Sequence, residues 1–264
     1  MTSKKKQILF IGAGRMAQAI ISGLADNDQF VITATNNGNK QRLREVEHTY
    51  GISTVDTWKD IIERVDVVVL ALPPEGHESL LTELSSHINE QFIITVAAGI
   101  DPEYLEAKLP LHTPVAWVMP NTAAELGKSM TLYTCGQYVH DDHKKLLETI
   151  LHGIGPFEQL TQQQVHQLTP ITGSAPAFVY YLAESLVQQA LGAGITEEQA
   201  RKLVAQMIDG SAALLKTGES PKQLADQVAT PGGVTAAGLQ VFEANGFDKI
   251  AEDAICACHD RAKS

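Results

Sequence analysis

Short apolar runs alternate with amphipathic stretches as far as residue 160. Gln7 to Ile11 reads as a buried strand, Met16 to Leu24 as a helix, Val31 to Thr35 as a second strand, and Lys40 to Tyr50 as a polar helix. Asp66 to Leu72 contains Val67, Val68, Val69 and Leu70, and Phe92 to Ala97 and Val115 to Met119 are similar. Successive side chains of a strand point to opposite faces, so a run without polar alternation predicts a parallel strand covered on both sides. Asp101-Pro102 predicts a helix start, with an N-cap followed by proline at the first helical position. Thr131 to Cys135 and Phe157 to Leu160 add two candidate late strands. Strands alternating with helices predict right-handed crossovers and a doubly wound sheet.

The pattern changes near Thr161, after which no strand is expected. Ala177 to Leu191 is a long helical pattern. Thr196-Glu197-Glu198-Gln199 is a capping box opening a helix to about Thr217, and Ser220-Pro221-Lys222-Gln223 is another. Val234 to Glu243 and Asp248 to Arg261 are the last helical segments. Two domains follow, 1–160 and 161–264. The helices after Thr161 are rich in Ala and Leu with few partners in their own half, which predicts burial against a second copy.

Composition narrows the class. The 264 residues are 44% hydrophobic but only 6% aromatic, so the core is aliphatic. A net charge of −11 argues against nucleic acid as a partner. Lys4, Lys5 and Lys6 read as a solvated tail. No stretch approaches the roughly 20 apolar residues of a membrane span. The apolar run after the lysines is broken by Gly12, Gly14 and Arg15, unlike a signal peptide. Three cysteines make no disulfide framework. Cys256-Ala-Cys258-His259 lacks zinc-knuckle spacing and a second ligand pair, so no metal is expected. The expected compartment is the cytoplasm.

Gly12-Ala13-Gly14-Arg15-Met16-Ala17 fits G-x-G-x-x-A between a predicted strand and helix, the context a dinucleotide site requires. Gly12 permits the tight turn, Gly14 admits the pyrophosphate, and the helix N-terminus faces the phosphates. Ala13, Arg15 and Met16 complete the segment. After the second strand, where an NAD enzyme usually carries Asp or Glu, stand Asn36 and Asn37, with Lys40 and Arg42 beyond. No carboxylate there repels a 2′-phosphate, so NADPH is expected, with NADH possible. The asparagines equally suit a turn.

Four segments together carry a resemblance. They are the Gly12 turn, Val118-Met119-Pro120-Asn121-Thr122, Gly173-Ser174-Ala175-Pro176-Ala177-Phe178, and Thr230-Pro231-Gly232-Gly233-Val234-Thr235. In this order they resemble the pyrroline-5-carboxylate reductases over nearly the whole chain. The resemblance implies an α/β fold: an N-terminal Rossmann-type doubly wound sheet followed by an all-α C-terminal dimerisation domain. It also implies a homodimer or a ring of dimers, and reduction of the cyclic imino acid 1-pyrroline-5-carboxylate to L-proline. The substrate is implied to bind Thr230, Gly232, Gly233, Val234 and Asn121, and the cofactor Ala71, Leu72, Pro73 and Ala98 besides the Gly12 turn. Pro-Gly-Gly before a helix offers backbone N–H groups to a carboxylate, or simply caps that helix. Three positions depart from the family: Pro73 stands where a lysine is usual, Trp58 for an asparagine and Ala175 for a glycine.

A protonated imine is already electrophilic, so hydride transfer requires alignment more than a strong acid. Thr235 is the candidate for orienting the nitrogen, while His166 and Glu184 read as surface or helix-packing groups. Two other readings stay open: a cofactor-binding regulatory relative without turnover, and a reductase of another cyclic imine.

Overall fold

The computed structural model describes residues 4–263. The chain forms two compact units that divide between Gly173 and Ser174. In chain order the first contains β1 (Lys6–Ile11), α1 (Arg15–Leu24), β2 (Phe30–Thr35), α2 (Lys40–Tyr50), β3 (Ser53–Thr54), β4 (Val67–Leu70), α3 (His77–Leu84) and β5 (Phe92–Thr95). Then follow α4 (Pro102–Lys108), β6 (Val115–Met119), β7 (Thr131–Cys135), α5 (Asp141–His152), β8 (Phe157–Gln159) and α6 (Gln162–Thr169). The strand order is β3-β2-β1-β4-β5-β6-β7-β8, with every neighbouring pair parallel except β6 and β7.

The doubly apolar runs behave as expected. In β1, Ile8 and Phe10 face a core shared with Ile20, Ile21 and Leu24 of α1, while Leu9 and Ile11 face another shared with Leu81 and Leu84 of α3. Val67 and Val69 of β4 join the first core, and Val68 and Leu70 the second. Each such side chain, fully buried, is worth roughly 1.5–3 kcal/mol, against a total span of about 1 kcal/mol for β-propensity. Burial on both faces therefore sets these strands.

The ends and edges depart from the pattern. β4 stops at Leu70 because Ala71 turns under the glycine loop and Pro73 cannot donate to a ladder. β3 has only two residues, paired with Thr33 and Ala34, and carries no hydrophobic signature. β7 runs antiparallel to β6, since the short link through the 3-10 turn Thr122–Leu126 leaves no room for a crossover. Helix α6 lies in the sheet-bearing unit, since Val165 packs with Trp117, Met119 and Leu132. Pro170–Ser174, which follows it, is a π-helical turn.

The second unit is helical: α7 (Ala175–Leu191), α8 (Glu197–Leu215), α9 (Pro221–Val228), α10 (Val234–Ala244) and α11 (Phe247–Lys263). Both expected capping boxes form, Thr196 with Gln199 and Ser220 with Gln223. Its buried cluster is small, Val187 on α7 against Ala200 and Val204 on α8. Large apolar side chains stay exposed in this single chain, including Tyr180, Leu203 and Ile250, and Tyr181 is 81% exposed. Among the described residues, no helix is long and apolar enough to cross a membrane.

Candidate cofactor and substrate site

The Gly12 turn sits where the strand order reverses, between β1 and β4, at the carboxyl ends of the strands. Open α/β sheets bind ligands at that crevice. The two glycines have different reasons. Gly12 has φ +110°, and a Cβ on it would stand 2.2 Å from the Ala71 carbonyl oxygen, so the protein's own packing requires it. Gly14 has an ordinary φ of −73°, and a Cβ there would meet nothing within 4 Å. Its bare face opens at the start of α1, which has no side-chain cap and no acidic residue in its first turn. Free N–H groups and the positive dipole end suit a pyrophosphate. Ala13 is buried, Met16 half-buried and Arg15 exposed.

Beside the turn lies a cavity of about 440 Å³, lined by Ile11, Thr35, Asn37, Trp58 and Leu72 among others. It joins the expected Asn37 and Leu72 to residues that sequence reasoning did not assign, notably Thr35 and Asp56. Asn36 is half-buried next to it. Trp58, which stands for an asparagine usual in the family, is 8% exposed and belongs to the core below β1, with its edge against His87 and one side lining the cavity. Lys40 is not free at this corner: its Nζ lies 3.1 Å from Asp56 Oδ1, both side chains being well exposed. An exposed pair is worth only about 0–1 kcal/mol, so a phosphate can compete for the lysine. Asp56 follows β3, the strand without a hydrophobic signature, and so gave no signal. Arg15 and Arg42 form no ion pair among the described residues. Pro73 and Ala98, on the loops after β4 and β5, are exposed, and Ala71 is half-buried.

Asn121 is committed to the protein. Its Oδ1 accepts from Ala123 N–H at 3.0 Å, capping the 3-10 turn, and its Nδ2 donates to the Thr172 carbonyl at 2.9 Å, inside the π-helical turn. The Thr172 hydroxyl is buried and has no hydrogen-bond partner among the described residues. His166 packs as expected of a helix group: its ring lies 4.5 Å from that of Trp117, and its Nε2 is 3.0 Å from Asp101 Oδ2. The other oxygen of Asp101 caps α4 by accepting from Tyr104 N–H, as its position before Pro102 predicts.

The Thr230–Thr235 loop belongs to the second unit. Gly232 has φ +74°, the left-handed region that favours glycine. Gly233 is the N-cap of α10 and gives it no side-chain cap. Val234 is exposed, Thr235 half-buried, and the Thr235 hydroxyl makes no hydrogen bond among the described residues. The loop thus presents uncapped N–H groups and one uncommitted hydroxyl. No group of three or more His, Cys, Asp or Glu that could hold a metal occurs among the described residues. Cys135 is half-buried, and burial pushes its thiol up to about 11, which keeps it protonated and unreactive.

Comparison with known proteins bears on both units. Residues 162–264 match the family described as pyrroline-5-carboxylate reductase dimerisation, and residues 7–99 match NADP oxidoreductase, coenzyme F420-dependent. The chain is 38% identical to pyrroline-5-carboxylate reductase 1 of Bacillus spizizenii, covering 98% of this chain and 89% of that protein. The crystal structure of 1-pyrroline-5-carboxylate reductase from Streptococcus pyogenes superposes with a TM-score of 0.90 at 29% identity, covering 99% of each chain. Pyrroline carboxylate reductase of Plasmodium falciparum, solved with NADP bound, gives 0.89 at 25% identity over 98% of each.

Proposed function

The chain belongs to the pyrroline-5-carboxylate reductase family, and from that premise we propose how its residues divide the reduction of 1-pyrroline-5-carboxylate to L-proline. This reaction, the last step of proline biosynthesis, uses NAD(P)H. The chain self-associates through its dimerisation domain, residues 162–264. We assign cofactor binding to 1–160, and substrate binding and dimerisation to 161–264. The assembly is a dimer or a ring of dimers working in the cytoplasm.

The cofactor reading is carried by the open face of Gly14 at the uncapped start of α1, on the reversal point of the sheet. Backbone N–H groups of Gly14, Arg15 and Met16 hold the pyrophosphate, with Gly12 and Ala13 shaping the turn. Asn36 and Asn37 face the ribose at the end of β2. Lys40 leaves Asp56 for a 2′-phosphate, supported by Arg15, so NADPH is preferred over NADH. Ala71, Leu72, Pro73 and Ala98 line the far half, over β4 and β5. When bound, the cofactor supplies a hydride to the C=N carbon.

The substrate carboxylate takes the N–H groups of Gly232 and Val234, within the loop that Thr230 closes by accepting the Gly233 N–H. Thr235 orients the ring nitrogen through its uncommitted hydroxyl. Asn121, with both ends of its carboxamide engaged, serves the substrate by holding the turn at Thr172. NADPH oxidation with 1-pyrroline-5-carboxylate and a panel of other cyclic imino acids tests the function. Activity confined to another imine replaces the substrate, and cofactor binding without any turnover supports a regulatory relative.

A further inference from the structure

A histidine outside the assigned site lies between the two loops of its far half. His77, at the first position of α3, is fully buried, as is Thr95 at the end of β5. His77 Nδ1 is 3.2 Å from the Pro73 carbonyl oxygen, and its Nε2 is 3.1 Å from Thr95 Oγ1. A carbonyl only accepts, so Nδ1 carries the proton and Nε2 accepts from the Thr95 hydroxyl. The same hydroxyl accepts from the Ala97 N–H at 3.3 Å. The Ala97 carbonyl in turn accepts from Trp117 Nε1 at 2.8 Å. Pro73 lies on the loop after β4, Ala97 and Ala98 on the loop after β5.

We infer that His77, acting through Thr95, is a positioning residue that locks the loop of Pro73 to the loop of Ala97 and Ala98. Together these loops form a rigid wall for the nicotinamide half of the cofactor. The inference rests on the cofactor reading above. A dinucleotide whose adenosine half lies over β2 extends its other half toward β4 and β5. The Pro73 ring is exposed, and its backbone turns inward to the buried histidine. Here its carbonyl is the anchored group. Each member has a partner of the right polarity, so the relay holds one arrangement. Burial pushes His77 below the ordinary histidine range, which keeps the single-proton form this arrangement needs.

Thr95→Val keeps the shape and deletes the hydroxyl, while Thr95→Ser keeps the hydroxyl. A misaligned nicotinamide lowers kcat, on the order of 10-fold, with the KM for NADPH little changed. The primary isotope effect with deuterated NADPH rises, and Thr95→Ser restores both. His77→Asn, which keeps a donor for Pro73 but is too short for Thr95, carries the same test should Thr95→Val not fold. Normal kcat and isotope effect in these variants, with only a lowered Tm, would overturn the proposal. So would loss of folding in both. The fluorescence of bound NADPH needs no imine and is expected to change in Thr95→Val. A wild type that binds NADPH but reduces no imine would defeat the functional reading while leaving this test intact.

Discussion

Thr230 closes its own loop onto Gly233: its carbonyl accepts from the Gly233 N–H at 2.9 Å, and a Cβ on Gly233 would stand 2.6 Å from its hydroxyl oxygen. The Thr230 hydroxyl thus fills the cap side of the loop, while the half-buried Thr235 makes no side-chain hydrogen bond among the described residues. Thr235→Val should lower kcat/KM about 10- to 100-fold, the worth of a transition-state hydrogen bond of roughly 1.5–3 kcal/mol. Tm should stay unchanged, because Thr235 caps nothing. Kinetics and thermal melting on the same variant separate catalysis from capping; a lower Tm with normal turnover would return Thr235 to the helix.

Gly12 and Gly14 should fail differently. Gly12→Ala places a Cβ at φ +110° against the Ala71 backbone, which neither strand can yield. A strained residue of this kind costs about 1–3 kcal/mol before the clash is counted, so Tm should fall clearly. Gly14→Ala places a Cβ with no other protein group within 4 Å and should melt like the wild type while raising the KM for the cofactor. Equal Tm losses in both variants would remove the argument that Gly14 is bare for a ligand.

The corner of Lys40 and Asp56 tests cofactor choice. The wild type is expected to have the higher kcat/KM with NADPH. Lys40→Ala should raise the KM for NADPH several-fold, as expected for a partly screened charge contact of about 1 kcal/mol, and leave NADH unaffected. Asp56→Asn frees the lysine and should lower the KM for NADPH. Comparing both cofactors in all three proteins decides; indifference of NADPH to Lys40 would move the 2′-phosphate elsewhere.

Much of this was legible along the chain, for identifiable reasons. β6, Val115–Met119, is apolar throughout, and α2 is bounded by Asn39 as N-cap and Gly51 in the left-handed region, so local signals set both. α5 and α6 carry their apolar residues among many polar ones, and their burial is decided by the sheet they cover. β3 exists only because Ser53 and Thr54 complete an edge beside β2. At the site, the glycine turns and the Thr230 loop are contiguous motifs, readable in order. Lys40 with Asp56, Asn121 with Thr172 and His77 with Thr95 meet only through tertiary folding, and no spacing announces them.

Stability should fall in mild acid. Burial lowers His77 below its ordinary value, and burial with the neighbouring His140 lowers His143. The unfolded chain then binds more protons than the folded one below about pH 6.5. Stability is therefore complete above that pH and is lost progressively as pH falls toward the lowered folded-state values. Denaturant unfolding between about pH 5 and 8 should show a midpoint rising with pH. His77→Gln should flatten part of the slope; an unchanged slope would mean that His77 does not titrate differently on folding.

The most direct test of the whole account is steady-state reduction of 1-pyrroline-5-carboxylate by the purified protein, following NADPH consumption and proline formation together. The account predicts one proline for each NADPH oxidised, with NADPH favoured over NADH. Tight NADPH binding with no proline formed, or oxidation driven only by a different imine, would contradict it.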